Sequence, residues 1–221
     1  MLGLMILCSI LANGAAACLL LYEIRKNQEK YESWKEKQPP NGFYGYSVGM
    51  SILAIGLSIF IYCFYWDNTF LFTLKRVILL ALFWPVAYTD FKTYRIPNLF
   101  IAAGLAARGL VLAAELIFAR ETLLSTILTE AAASVVLFLV AALCALVVKN
   151  SIGGGDMKLF VVMGLFLGLQ GTWGAMFLSL IVSFVIALVL LAAKKKSRKD
   201  VIPFGPALMI GTYLSIFLTG M

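Results

Sequence analysis

Apolar runs long enough to cross a lipid bilayer alternate with short polar connections along this chain. Residues 1–22 are apolar, with no Lys or Arg before the charges at Arg25 and Lys26. They lack the basic start of a secretory signal and read as a retained anchor with its N-terminus outside the cell. Residues 23–41 form a polar segment of mixed charge that ends in Pro39-Pro40-Asn41-Gly42. It is too short for a domain and reads as a solvated face extending the first helix. Further apolar runs cover about 46–66, 70–88, 98–119 and 123–148. The run 157–193 would reach roughly 55 Å as one helix, against a hydrocarbon core of about 30 Å. Gln170-Gly171-Thr172-Trp173-Gly174 interrupts it, which predicts a helical hairpin. A last span follows over about 204–221. The pattern predicts an all-α, polytopic membrane bundle of eight transmembrane helices, or seven if 157–193 is one tilted helix.

Composition agrees. Of the 221 residues, 62% are hydrophobic and 13% charged, where a soluble domain carries roughly 25%; the mean hydropathy is +0.95. The net charge of +7 raises the question of nucleic acid, but its distribution points to a membrane instead. With the N-terminus outside, the cytosolic connections hold five basic residues in 23–41, two in 89–97, two near 149–158 and five in 194–199, which is 14 of the 18. Positive charge collects on the cytosolic side of membrane proteins, so this orientation and the eight-span count support each other.

The chain has no histidine, which excludes histidine-based triads and histidine metal or haem ligation. Cys8, Cys18, Cys63 and Cys144 lie in apolar stretches without a C-x-x-C pair. They read as small buried hydrophobes, and neither a zinc site nor a disulfide framework is expected. Lys75 and Arg76 are expected to snorkel to the outer surface. Arg108 is expected to snorkel or to pair with a neighbouring helix, and Glu115 and Glu130 to lie near the outer surface.

Two acids carry the candidate chemistry. Asp90 follows the third run, and Asp156 follows Gly153-Gly154-Gly155 at the mouth of the sixth. Two complete spans separate them, and an even number of crossings returns the chain to the face it left. Both acids therefore fall at helix ends on the cytosolic face. A close pair of carboxylates shares one proton and can hold a water between them, one acid taking its proton and the other protonating a peptide carbonyl. The glycines are expected to let the backbone turn and a substrate strand approach. From spacing alone, solvated interface charges and glycine packing contacts remain open.

Gly153-Gly154-Gly155-Asp156-Met157-Lys158-Leu159 resembles the G-x-G-D-x-K-L signature of prepilin peptidases. Asp90-Phe91-Lys92-Thr93-Tyr94-Arg95-Ile96-Pro97-Asn98 is similar to the family's first-aspartate segment, and Ile202-Pro203-Phe204-Gly205-Pro206 to its C-terminal proline-glycine segment. The resemblance implies a membrane aspartic endopeptidase of the prokaryotic cytoplasmic membrane. Asp90 and Asp156 would be catalytic. Gly153, Gly155, Lys158, Ile96, Pro97, Asn98, Pro203 and Gly205 would support them or bind substrate, and Lys158 would attract an acidic residue near the start of the mature pilin. The implied substrate has a basic leader, cleaved after glycine and followed by an apolar helix. Residues 1–45 would supply the anchor helix and a short cytosolic loop, and 46–221 the catalytic core of a single domain. No metal, cofactor or nucleic acid is expected. Larger bacterial members resemble this chain with an added cytosolic domain, often with paired C-x-x-C motifs, linked to methylation. Residues 23–41 contain no cysteine, so S-adenosylmethionine and methyl transfer are not expected. The competing readings are a transporter using the two acids as an ion site and an inactive pilus-assembly protein. The oligomeric state is left open.

Overall fold

The computed structural model describes residues 1–27, 41–65, 67–147, 152–194 and 202–220. The described residues form seven helices: α1 (Leu2–Lys26), α2 (Asn41–Phe64), α3 (Phe70–Thr93), α4 (Asn98–Phe118), α5 (Arg120–Val147), α6 (Gly154–Ala192) and α7 (Gly205–Thr219). Backbone polar groups have no water to bond in lipid, and a helix satisfies them within one segment, so long apolar runs become helices. The first six are long and apolar enough to cross a membrane. The seventh has 15 residues, or about 22 Å of helix, shorter than the span expected at 204–221. Most of the segment 23–41 lies outside the described residues.

Helix α3 is the central post. It packs against α1, α2, α4, α6 and α7, and its side chains from Val77 to Asp90 are almost all buried. Trp84 on α3 donates to Asn13 Oδ1 of α1 at 3.2 Å, and Tyr46 of α2 donates to the Trp84 carbonyl at 3.0 Å. Tyr213 of α7 donates to the carbonyl of Leu80. These bonds tie α3 to α1, α2 and α7.

The long helix α6 is broken at Gly168, where φ is 65° and ψ is −175°. Asp156 and Phe160, before the break, line one cavity together with Met176, Leu180 and Ser183 beyond it. An unbroken helix would separate Asp156 from Ser183 by about 40 Å, so the two arms fold back on one another. The break falls at Gly168 rather than at the expected Gln170–Gly174. A positive φ is strained for any residue with a Cβ, and glycine removes that cost. A broken helix also leaves carbonyls without partners. Here the side chains of Arg108 and Arg76 donate to the carbonyls of Leu165, at 3.0 Å, and Phe166, at 3.4 Å.

Small residues let the arms approach their neighbours closely. A Cβ on Gly164 would stand 2.7 Å from the backbone nitrogen of Ser134 on α5, and one on Gly211 of α7 would stand 2.3 Å from that of Ser179. Packing of this kind drives association where lipid is as apolar as the side chains.

Arg108 pairs with a neighbouring helix, as one of its two expected placements had it, but the other ionisable residues of the spans sit differently from expectation. Lys75, Arg76, Glu115 and Glu130 do not reach the surface; they are 4%, 2%, 5% and 3% exposed. Lys75 pairs with Glu130 at 2.6 Å and with Glu115 at 3.0 Å. Arg108 pairs with Glu115 at 2.8 Å and also with Glu130. The result is a closed ring of two cations and two carboxylates joining α3, α4 and α5. Snorkelling is favourable only for an unpaired charge near an interface, and here each charge finds a partner inside the bundle. The cysteines also depart from expectation. Cys18, Cys63 and Cys144 are exposed on the helix surface and Cys8 is half-buried. In a membrane that surface is apolar, so a small thiol loses nothing there.

Candidate active site

Three chain segments meet at the end of the bundle remote from the ion-pair ring. The first is the C-terminal end of α3. The helix runs beyond the expected boundary at residue 88 and ends at Tyr94, which caps it in the left-handed conformation with its N–H on the Asp90 carbonyl at 2.8 Å. Asp90 therefore lies in the last full turn, and only 6% of it is exposed. Arg95 and Ile96 then lead to Pro97, which caps the start of α4 with extended backbone.

The second segment is the start of α6. Gly153 is the capping residue and Asp156 is the third helical position. From there the carboxylate reaches back to the backbone N–H of Gly153, which is the acidic half of a capping box. None of the three glycines has a positive φ, so the expected sharp turn is not why they are glycine. The reason at two of them is space. A Cβ on Gly153 would stand 2.9 Å from Asp156 Oδ2, and one on Gly155 would stand 3.0 Å from the Cβ of Ile96. Gly154 has open space. Buried Ile96 is thus pressed against the helix start that presents Asp156. Beside it the exposed Lys158 donates to Asn98 Oδ1 at 2.9 Å. The first two segments are fastened together at two points.

The third segment, 202–205, holds Asp90 directly and borders the same cavity as Asp156. The backbone N–H of Gly205 donates to Asp90 Oδ2 at 2.7 Å. The Phe204 ring meets Phe160, one turn beyond Asp156, edge to face with centroids 5.9 Å apart. Asp90 and Asp156 lie within electrostatic range of one another. Asp156 Oδ1 is buried without a hydrogen-bond partner. A carboxylate oxygen left so is costly unless a proton or a polar ligand meets it, which suits a group that exchanges protons. Pro203 is half-buried in this segment.

Asp156 opens onto a cavity of about 410 Å³ whose other walls include Leu137, Ala141, Phe160, Leu180 and Phe204. Sequence reasoning missed this apolar wall, because Leu137 and Ala141 sit in α5 without a motif. Gly205 is tightly held: a Cβ there would meet Asp90 Oδ2 and Cβ at 2.9 Å. Gly205→Ala is therefore expected to lower stability by about 1–3 kcal/mol, read as a lower midpoint of thermal unfolding in detergent. An unchanged midpoint would mean that the 202–205 segment does not bear on Asp90 as described.

A model of the type IV leader peptidase family matches residues 77–192, which contain both acids. The prepilin leader peptidase/N-methyltransferase of Bacillus subtilis (strain 168) is 30% identical over 142 residues, covering 63% of this chain and 53% of the relative. The protein of the same name from Xanthomonas campestris pv. campestris is 36% identical over 69 residues, covering 31% of this chain and 24% of the relative. The chain thus spans about half, or less, of the length of these relatives. No solved structure matches. With more than half of its length matched, and both acids within the match, this chain belongs to the type IV leader peptidase family.

Proposed function

We propose that the chain is a membrane aspartic endopeptidase that removes the leader of type IV prepilins or prepilin-like proteins at the cytosolic face of a prokaryotic cytoplasmic membrane. The observation that carries the proposal is the convergence of the segments that bear Asp90 and Asp156, 66 positions apart in the sequence, under one segment whose Gly205 N–H holds Asp90 and whose Phe204 packs against Phe160, one turn from Asp156. In the reaction a water attacks the scissile carbonyl carbon while one carboxylate takes its proton and the other protonates the carbonyl oxygen. Collapse of that intermediate breaks the C–N bond, and the proton goes to the departing amine. The apolar cavity beside Asp156 suits the apolar helix that follows the leader.

The proposed topology has the N-terminus outside and eight crossings, with the two arms of α6 as separate crossings. The fold-back at Gly168 and the concentration of basic residues in the connections support it. It sets the two acids where a substrate helix leaves the bilayer. Hydrolysis alone is proposed; the methyl transfer in the relatives' names is not extended to this chain.

The test is co-expression with a candidate prepilin carrying a basic leader. The expected result is a shortened product whose new N-terminus follows glycine; a full-length prepilin across all candidates would overturn the proposal. Lys158 supplies a finer check. It is exposed and held by Asn98 beside the site, in position to attract an acid near the start of the mature substrate. Lys158→Glu is expected to shift kcat/KM by roughly fivefold towards substrates with that charge reversed, the scale of an exposed ion pair.

A further inference from the structure

We propose a second binding site, for a phosphate-bearing anion, at the end of the bundle opposite the two acids and centred on Arg76. The ion-pair ring balances Lys75 and Arg108 against Glu115 and Glu130. Arg76 is the third buried cation in this cluster and has no carboxylate within ion-pair distance among the described residues. It is 2% exposed. Its contacts are the carbonyls of Phe72 and Phe166, at 3.2 and 3.4 Å, and the face of the Phe72 ring at 3.3 Å. Its Nε is buried without a partner. An excess charge in a bundle of this polarity is expensive until an anion meets it.

The room for that anion is present. Arg76 lines a cavity of about 340 Å³ together with Phe72, Thr129, Gly168 and Gln170. Gln170 is exposed and would add amide donors beside the guanidinium. Trp173, one turn further on, is 56% exposed, as suits an aromatic ring at headgroup depth. A guanidinium fork matches two phosphate oxygens. The cavity lies about 20 Å of helix from Asp90, so a ligand there would not occupy the peptidase site.

The ligand chemistry is shared by an anionic lipid headgroup and a free phosphate, and the experiment separates them. Purified protein is placed in nanodiscs of phosphatidylcholine alone, of phosphatidylcholine with phosphatidylglycerol, or of phosphatidylcholine with added inorganic phosphate. Thermal unfolding is then followed for wild type, Arg76→Gln and Arg120→Gln, the last an exposed control. Saturating ligand is expected to raise the wild-type midpoint by about 5 °C. Arg120→Gln keeps that rise and Arg76→Gln loses it. A rise with phosphatidylglycerol alone assigns the site to a lipid headgroup, and a rise with inorganic phosphate assigns it to a free anion. No rise with either, or an equal rise in Arg76→Gln, overturns the proposal. Should Arg76→Gln fail to fold, native mass spectrometry of wild type decides: one retained phosphatidylglycerol or phosphate per chain supports the site, and none refutes it. Neither readout depends on leader cleavage.

Discussion

Asp90→Asn and Asp156→Asn are each expected to leave a co-expressed prepilin at full length, with cleavage lower by about 10³-fold or more. Asparagine keeps the size of aspartate and one carbonyl oxygen. At position 90 that oxygen can still accept from the N–H of Gly205, which holds Asp90 Oδ2 at 2.7 Å. At position 156 it can still accept from the N–H of Gly153. The local fold therefore survives and the midpoint of unfolding moves little. What asparagine cannot do is take a proton from water or return one to a carbonyl oxygen. On the proposed mechanism the two acids act as one unit, so the double variant is expected to be no worse than either single one. Cleavage that persists in both single variants would refute the dyad. Lost cleavage accompanied by a collapsed midpoint would show that the acids are structural instead.

Much of the fold was legible because lipid leaves the backbone few choices. Apolar runs at 98–119 and 123–148 became α4 and α5 with ends moved by only a few residues. The convergence of the candidate site's three segments was legible because they are short and ordered along the chain: Asp90 lies against Gly205, Ile96 against Gly155, Asn98 against Lys158 and Gly153 against Asp156. What apolar runs do not record is which face of a helix turns inward, since lipid and core are equally apolar. That is why Lys75 and Arg76 read as surface residues and the cysteines as buried ones. For Arg108 pairing inside the bundle was one of the two expected placements, and the same signal was available for Glu115: the two lie seven residues apart, two helical turns on one face. The hairpin break was misplaced for a related reason. Polar residues at Gln170–Gly174 mark where the chain meets an interface, whereas the backbone reverses at the one nearby glycine with positive φ, Gly168.

Glu130→Gln is expected to cost about 3–5 kcal/mol of stability, the scale for removing one partner of a buried ion pair. Glu130 binds both Lys75 and Arg108, so its neutralisation leaves Lys75, Arg76 and Arg108 facing Glu115 alone. The amide is as large as the carboxylate, so no cavity forms and the loss is electrostatic. Glu121→Gln, at the exposed start of α5, is the control and should stay within about 0.5 kcal/mol of wild type. The ring joins α3, which carries Asp90, to α4 and α5, and Arg108 also holds the Leu165 carbonyl on the arm of α6 that carries Asp156. Loosening it is therefore expected to lower the folded fraction and total cleavage together, with activity per folded molecule retained. Adding Lys75→Met to Glu130→Gln should recover part of the loss, because the second substitution restores the charge balance that the first removes. A double variant whose loss equals the sum of the two single losses would show that the residues do not couple, and the ring would then be four independent charges rather than one device.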